Sequence, residues 1–240
     1  MKAARVLGLS TLVISSCLTT PQSEVDYEAM AIPSARHTLV LGGWAITLNR
    51  AELAFGPAYF CASASGSSTL CGTAAAELIA VAKVDALAGA PVPLGRVHGL
   101  TGSIRSVSYD LGILWLDTQR QPTPAMEAPQ GHSAVLEGEA VKGDARVPFV
   151  VLLDVAPQYQ GQQAIATAPA IGDVASRDYV LEVHLDPLRW LAQVDFDTAV
   201  MRPERPLVFG VGSQEHSAVV VGLKSLAPPE FRWVATVAQH

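Results

Sequence analysis

The chain has 240 residues, half of them hydrophobic, with 16 Lys and Arg against 22 Asp and Glu. That length allows one large domain or two small ones, with enough apolar residues for a real core. The net charge of −6 and the absence of any Lys/Arg cluster exclude a nucleic-acid partner, whose phosphates need grouped cations.

The first sixteen residues have the order of an export signal. Lys2 and Arg5 precede the apolar run Val6 to Leu9 and Leu12 to Ile14, which then meets Ser15, Ser16 and Cys17. The run is shorter than the roughly 20 apolar residues a permanent span requires, so removal is expected. Ile14-Ser15-Ser16-Cys17 resembles the bacterial lipobox, an aliphatic residue and two small ones before a cysteine. The resemblance implies a diacylglyceryl thioether on Cys17 and cleavage just before it. Leu18, where Asp would mark retention at the inner membrane, implies a cell-envelope address in the outer membrane. Several acyl chains give stable anchoring where one would be marginal. An ordinary signal cut near Ala29 or Ala31 is the alternative. Cleavage before Cys17 takes 240 residues to 224 and, with Lys2 and Arg5 gone, 16 cations to 14 against 22 acids, a net of −8.

Residues 17–36 read as a lipidated, flexible tether, and the ordered domain is expected over 37–240. Short apolar runs with period two then recur between Gly, Pro and Asp breaks. Strands are predicted at Thr38–Leu41, Trp44–Leu48, Glu52–Phe60 with Gly56-Pro57 as a bulge or edge break, Glu77–Val84, Ser103–Tyr109, Ser133–Val141, Arg146–Val155, Tyr179–Leu185, Ala218–Leu223 and Phe231–Val237. The stretch Thr73–Ala76 could instead begin a helix reaching Val84. One helical fragment is expected over 187–192, with Asp186 as N-cap and Pro187 at N1. Many short strands without a fixed repeat predict an all-β fold, a single antiparallel β-sandwich.

With Cys17 lipidated, Cys61 and Cys71 form an even pair in an oxidising compartment and read as a disulfide around a small polar loop, worth roughly 3 kcal/mol on the chain-entropy model. Metal thiolates would want closer spacing or a neighbouring His.

Catalytic motifs are nearly absent. Gly131-His132-Ser133-Ala134-Val135 begins like a nucleophile elbow, but Val135 replaces the second glycine and a strand follows where a helix is needed. No HExxH, phosphate loop or EF-hand loop is present. Asp195-Phe196-Asp197 could be a weak calcium loop or an ordinary turn. Glu137 and Glu139 share a strand face, the minimum for a glycan-active enzyme, although such chemistry needs the carboxylates roughly 5 to 10 Å apart across a cleft. Histidine is more suggestive. His37, His98, His132 and His184 are spread over strands or strand ends, and His216 lies in the predicted loop after Gly212. Three imidazoles converging at one end of a sandwich would suit copper or zinc.

Three segments, Gly43–Leu53, Gly131–Gly138 with Val147-Pro148-Phe149, and Val183–Leu191, together resemble β-sandwich lipoproteins of the metallo-mystery-pair kind. The resemblance implies copper held by some of His37, His98, His132 and His184, Trp44 or Trp190 as an oxidisable neighbour, and a di-haem enzyme as partner. The residues themselves equally allow core tryptophans and scattered histidines. The expected function is a non-catalytic envelope lipoprotein with a binding role, metal capture being its sharpest form. An interaction or scaffold lipoprotein and a glycan-active enzyme are the alternatives.

Overall fold

The computed structural model describes residues 22–34, 36–63, 74–174 and 179–236. In chain order the strands are β1 (Glu24–Pro33), β2 (Thr38–Leu41), β3 (Trp44–Phe55), β4 (Ala58–Cys61), β5 (Ala76–Leu78), β6 (Ala82–Asp85), β7 (Val92–Leu100), β8 (Gly102–Tyr109), β9 (Ile113–Leu114), β10 (Thr123–Pro124), β11 (Ala134–Lys142), β12 (Ala145–Leu153), β13 (Ile165–Val174) and β14 (Tyr179–Leu185). Two short helices follow, α1 (Pro187–Trp190) and α2 (Phe196–Ala199), then β15 (Leu207–Phe209), α3 (Gln214–Val221) and β16 (Glu230–Ala235). Eight strands make one sheet in the order β13-β8-β4-β5-β7-β1-β14-β16, and β15-β12-β11-β3-β2 make a second, with β6 also on β3. The fold is all-β, as the alternation predicts.

Two pairings depart from a purely antiparallel sandwich: β1 runs parallel to β14, and β12 parallel to β15. The first involves a strand assigned above to the tether. Residues 24–33 form a central strand of the larger sheet, paired on both sides, so the domain begins well before His37 and the proposed tether 17–36 loses its second half. The alternation is present, with Val25, Tyr27, Ala29 and Ala31 buried. It is inconspicuous because two of the four inward residues are alanines.

β3 shows how a bulge hides a long strand. Trp44, Ile46 and Leu48 are buried on even positions, and Ala51, Leu53 and Phe55 on odd ones. Across from them, Glu137 pairs with Arg50 but Gly138 with Leu48, so Asn49 is an extra residue and the phase flips there. Gly138 fits because a Cβ would collide with the Thr47 carbonyl. The two predicted strands are thus one strand, and at Gly56-Pro57 the chain crosses from the smaller sheet to β4 in the larger.

The larger sheet curls until its edge strands approach. A Cβ on Gly172 in β13 would run into the Trp233 indole of β16. Inside the curl, Phe60 meets Phe231 and Trp233 edge-on at 5.8 and 5.4 Å, and Phe55 stacks on Tyr109 at 5.6 Å. Trp233 donates Nε1–H to the Tyr27 hydroxyl at 2.7 Å, and burial pushes the Tyr27 phenol up to about 12. A second aromatic group lies under the helices, where Phe149 stacks on Phe209 at 5.6 Å and Phe196 contacts Phe149 and Trp44.

The helical fragment near 187–192 is present as α1 with a 3-10 turn over Leu191–Gln193. Pro187 is at N1 as expected, but the Asp186 side chain makes no capping bond. Ala218–Leu223 is not a strand. Ser213 accepts the His216 N–H as N-cap, α3 covers 214–221, and a π-helical turn takes Gly222–Leu226. Gly222 sits so close to the Trp190 backbone that only glycine fits. The valine-rich run has strand propensity, and packing on α1 overrides it. The Glu77–Val84 region is two short strands, β5 and β6, in different sheets, and no helix forms there. Cys61, at the end of β4, is disulfide-bonded. Its expected partner Cys71, like Cys17 and the export segment, lies outside the described residues.

Candidate functional site

The four histidines, some of which were expected to hold copper, are not gathered at one site. His98 pairs with Asp26 in the β7–β1 register, and His184 with Ile32 in the β14–β1 register. Six residues of β1 separate those rungs, about 20 Å at strand rise. His37 is exposed just before β2, and His132 lies between the turn Pro129–Gly131 and β11 of the smaller sheet. Among the described residues no group of three or more His, Cys, Asp or Glu side chains is placed to hold a metal ion. The set His37, His98, His132 and His184 therefore does not fit a shared copper. Sheet order separates His98 from His184 along β1, and His132 belongs to the smaller sheet's end of the chain.

Three of these histidines instead each face a carboxylate. His132 Nδ1 is 2.9 Å from Asp154 Oδ1, His184 Nε2 is 2.9 Å from Glu182 Oε2, and His98 Nδ1 is 3.5 Å from Asp26 Oδ2. The first two are hydrogen bonds; an ionised carboxylate only accepts, so in neutral His132 and His184 the proton sits on the bonded ring nitrogen and the other nitrogen offers a lone pair. His98 is the most exposed of the three; His132 and His184 are half-buried.

At the His132 corner a second imidazole, that of His216, is near enough for its titration to feel His132. The Asp154 backbone N–H donates to His216 Nε2 at 3.2 Å, and α3 brings His216 there. His216 is buried, and burial lowers its pKa; the Asp154 charge opposes that shift and His132 adds to it. Ser133 is fully buried, and its hydroxyl accepts the Val155 N–H at 3.0 Å, so it holds the strand end and is no nucleophile. Gln130, in the turn before His132, is the one non-glycine with positive φ (53°) among the described residues. His216 was legible only as a loop histidine, because nothing local ties it to Asp154, 62 positions earlier.

The other candidates have structural partners. Trp44 is buried, donates to Asp197 at 3.0 Å and carries Lys142 Nζ 5.6 Å from its ring centre; Trp190 is buried and donates to the Ala227 carbonyl at 2.9 Å. Asp195 caps α2 through the Thr198 N–H, and Asp197 binds Lys142 at 2.7 Å besides Trp44, which accounts for both acids of the suspected calcium loop. Glu137 is paired with Arg50 at 2.6 Å and Glu139 with Arg146 at 3.0 Å on the outer face of the smaller sheet.

Fold and site together define an all-β sandwich domain with carboxylate-backed histidines. No family model and no curated protein matches the chain. Among solved structures it is similar to MbnP from Methylosinus trichosporium, at 11% identity and a TM-score of 0.31 over 72% of this chain and 78% of that one, a likeness too loose to bear on function.

Proposed function

We propose that this chain is an envelope lipoprotein, held to the outer membrane through a lipid on Cys17, whose folded domain binds and does not catalyse. In its metal-capturing form the reading rests on one observation, the 2.9 Å contact of His132 Nδ1 with Asp154. A carboxylate behind an imidazole fixes the tautomer and raises the basicity of the free nitrogen, the support that protein metal ligands commonly have. With His132 Nε2 as the free donor and His216 close by, the captured ion is an exchangeable one completed by water, and copper or zinc suits the nitrogen donors. Calorimetric titration of the untagged mature domain with Cu²⁺ and Zn²⁺ tests this. A saturable site lost in His132→Ala is expected; binding that is absent, or indifferent to that change, refutes the metal reading. For the anchor, Cys17→Ser should move the chain from the membrane to the soluble fraction.

One observation favours a second reading, an interaction lipoprotein. Among the described residues β2 is an edge strand, bonded only to β3, and it exposes Val40 (71%) and Leu41 (40%). An open edge with apolar side chains is the kind of surface a partner strand pairs with. Loss of envelope cross-linking partners on Val40→Lys, with metal binding intact, would decide for it.

A further inference from the structure

The chain enters the larger sheet at one end, and that end is pinned. The Ser23 N–H donates to the Thr101 hydroxyl at 3.0 Å, and the Ser23 carbonyl accepts the Thr101 N–H at 2.8 Å, so the chain is held on the β7–β8 turn before β1 begins at Glu24. Six residue steps separate Cys17 from Ser23. Covalent geometry limits six steps to about 22 Å at full extension. A lipid on Cys17 therefore keeps the Thr101 turn close to the headgroups.

The opposite end of the sheet stands well away from that turn. The ten residues of β1 rise about 30 Å from Glu24 to Pro33, where the turn 87–91 shares a cavity of about 240 Å³ with Ile32 and Pro33. The His132 corner is joined to this same end. β8 leads from the Thr101 turn up to Asp110, whose carbonyl accepts the Gly56 N–H at 3.0 Å; two residues earlier, the Ala54 N–H donates to the Ser133 carbonyl at 3.0 Å.

A short tether alone would still let the domain topple. Charge opposes lying down on β1: its outward face carries Glu24, Asp26 and Glu28, and the neighbouring β7 offers Arg96 as its only permanent cation, already bound to Asp26. An anionic headgroup surface repels such a face. Lying on the smaller sheet would lift the entry point by the roughly 10 Å between packed sheets and by a further layer of side chains, which uses most of the tether.

We propose that the domain stands on the β7–β8 turn against the lipid headgroups, with the His132 corner at the end that faces away from the membrane. The inference rests on the lipid at Cys17 proposed above. It assigns the corner and the turn 87–91 to the surface that an ion or partner in the aqueous compartment meets first.

Energy transfer tests the orientation. The mature lipidated chain is placed in vesicles of phosphatidylethanolamine and phosphatidylglycerol that carry an acceptor dye on the headgroups, with a donor dye on Glu24→Cys or on Gly89→Cys. Glu24 is exposed, and a side chain at Gly89 meets nothing within 4 Å; Ala90→Cys serves as a second distal position if Gly89→Cys fails to fold. Transfer from position 24 should exceed that from position 89 at least about twofold, given the rise of about 30 Å between the two ends. Inserting about 20 Gly and Ser residues after Leu18 should bring that ratio toward one, because a long flexible linker frees the domain to tumble. Equal transfer from the two positions at native tether length, or greater transfer from position 89, overturns the orientation and leaves the anchor standing. A mature chain that carries no lipid by mass spectrometry overturns the anchor, and the orientation with it.

Discussion

Asp110, at the end of β8, is 4% exposed and accepts the Ala164 N–H at 2.6 Å, tying the start of β13 to its neighbour. Burial pushes its carboxyl from 3.8 up to about 7, the Ala164 bond opposing only part of that shift. A carboxyl whose folded pKa is raised keeps its proton longer in the folded state. Between pH 4 and 7 the unfolded chain therefore binds fewer protons, and stability falls as pH rises, levelling above pH 7. A rise of about three pKa units at about 1.4 kcal/mol each is on the order of 4 kcal/mol. Asp110→Asn keeps an oxygen for Ala164 and removes the charge. In urea denaturation at a series of pH values, the variant should match the wild type near pH 4 and exceed it by up to this amount at pH 8, a melting-temperature gain of roughly 10 °C for a chain this size. A difference between the two proteins that is constant from pH 4 to 8 would refute the reasoning, because a lost or gained contact has no reason to follow the titration.

His216 should give the opposite slope. Its folded pKa is lowered, chiefly by burial, so its contribution is complete above the unfolded value of about 6.5 and is lost as pH falls toward the folded value; the excess acid sensitivity of the wild type over His216→Gln measures it. Gly172→Ala forces a methyl into the Trp233 indole and should cost about 1 to 3 kcal/mol in a denaturant titration, much of it recovered when Trp233→Leu is added. Truncation separates tether from fold. A chain starting at residue 22 should keep its β-sheet circular dichroism, whereas one starting at 37 lacks β1, splits the larger sheet between β7 and β14, leaving each with an open edge, and should not melt cooperatively.

Period-two alternation alone was enough for the all-β class and for strands with large inward residues. Tyr179–Leu185 falls where the pattern puts it, because Leu181, Val183 and Leu185 contrast sharply with Glu182 and His184 along the pleat. Pro187 likewise marked the one helical fragment through its fixed backbone angle. Where the inward residues are small the signal fades, and β1, lined partly by alanine, passed for a tether. The bulge at Asn49 and the helix over 214–221 depended on tertiary partners: the opposing Gly138, and the Trp190 backbone against Gly222. The site divides in the same way. That His132 and His184 sit at strand ends or outward faces follows from local pattern, but their carboxylate neighbours, the approach of His216 from a later helix, and the 20 Å that keeps His98 from His184 arise from sheet order. Local sequence sets which way a side chain points from its own strand. Only the packing of distant strands sets what it faces.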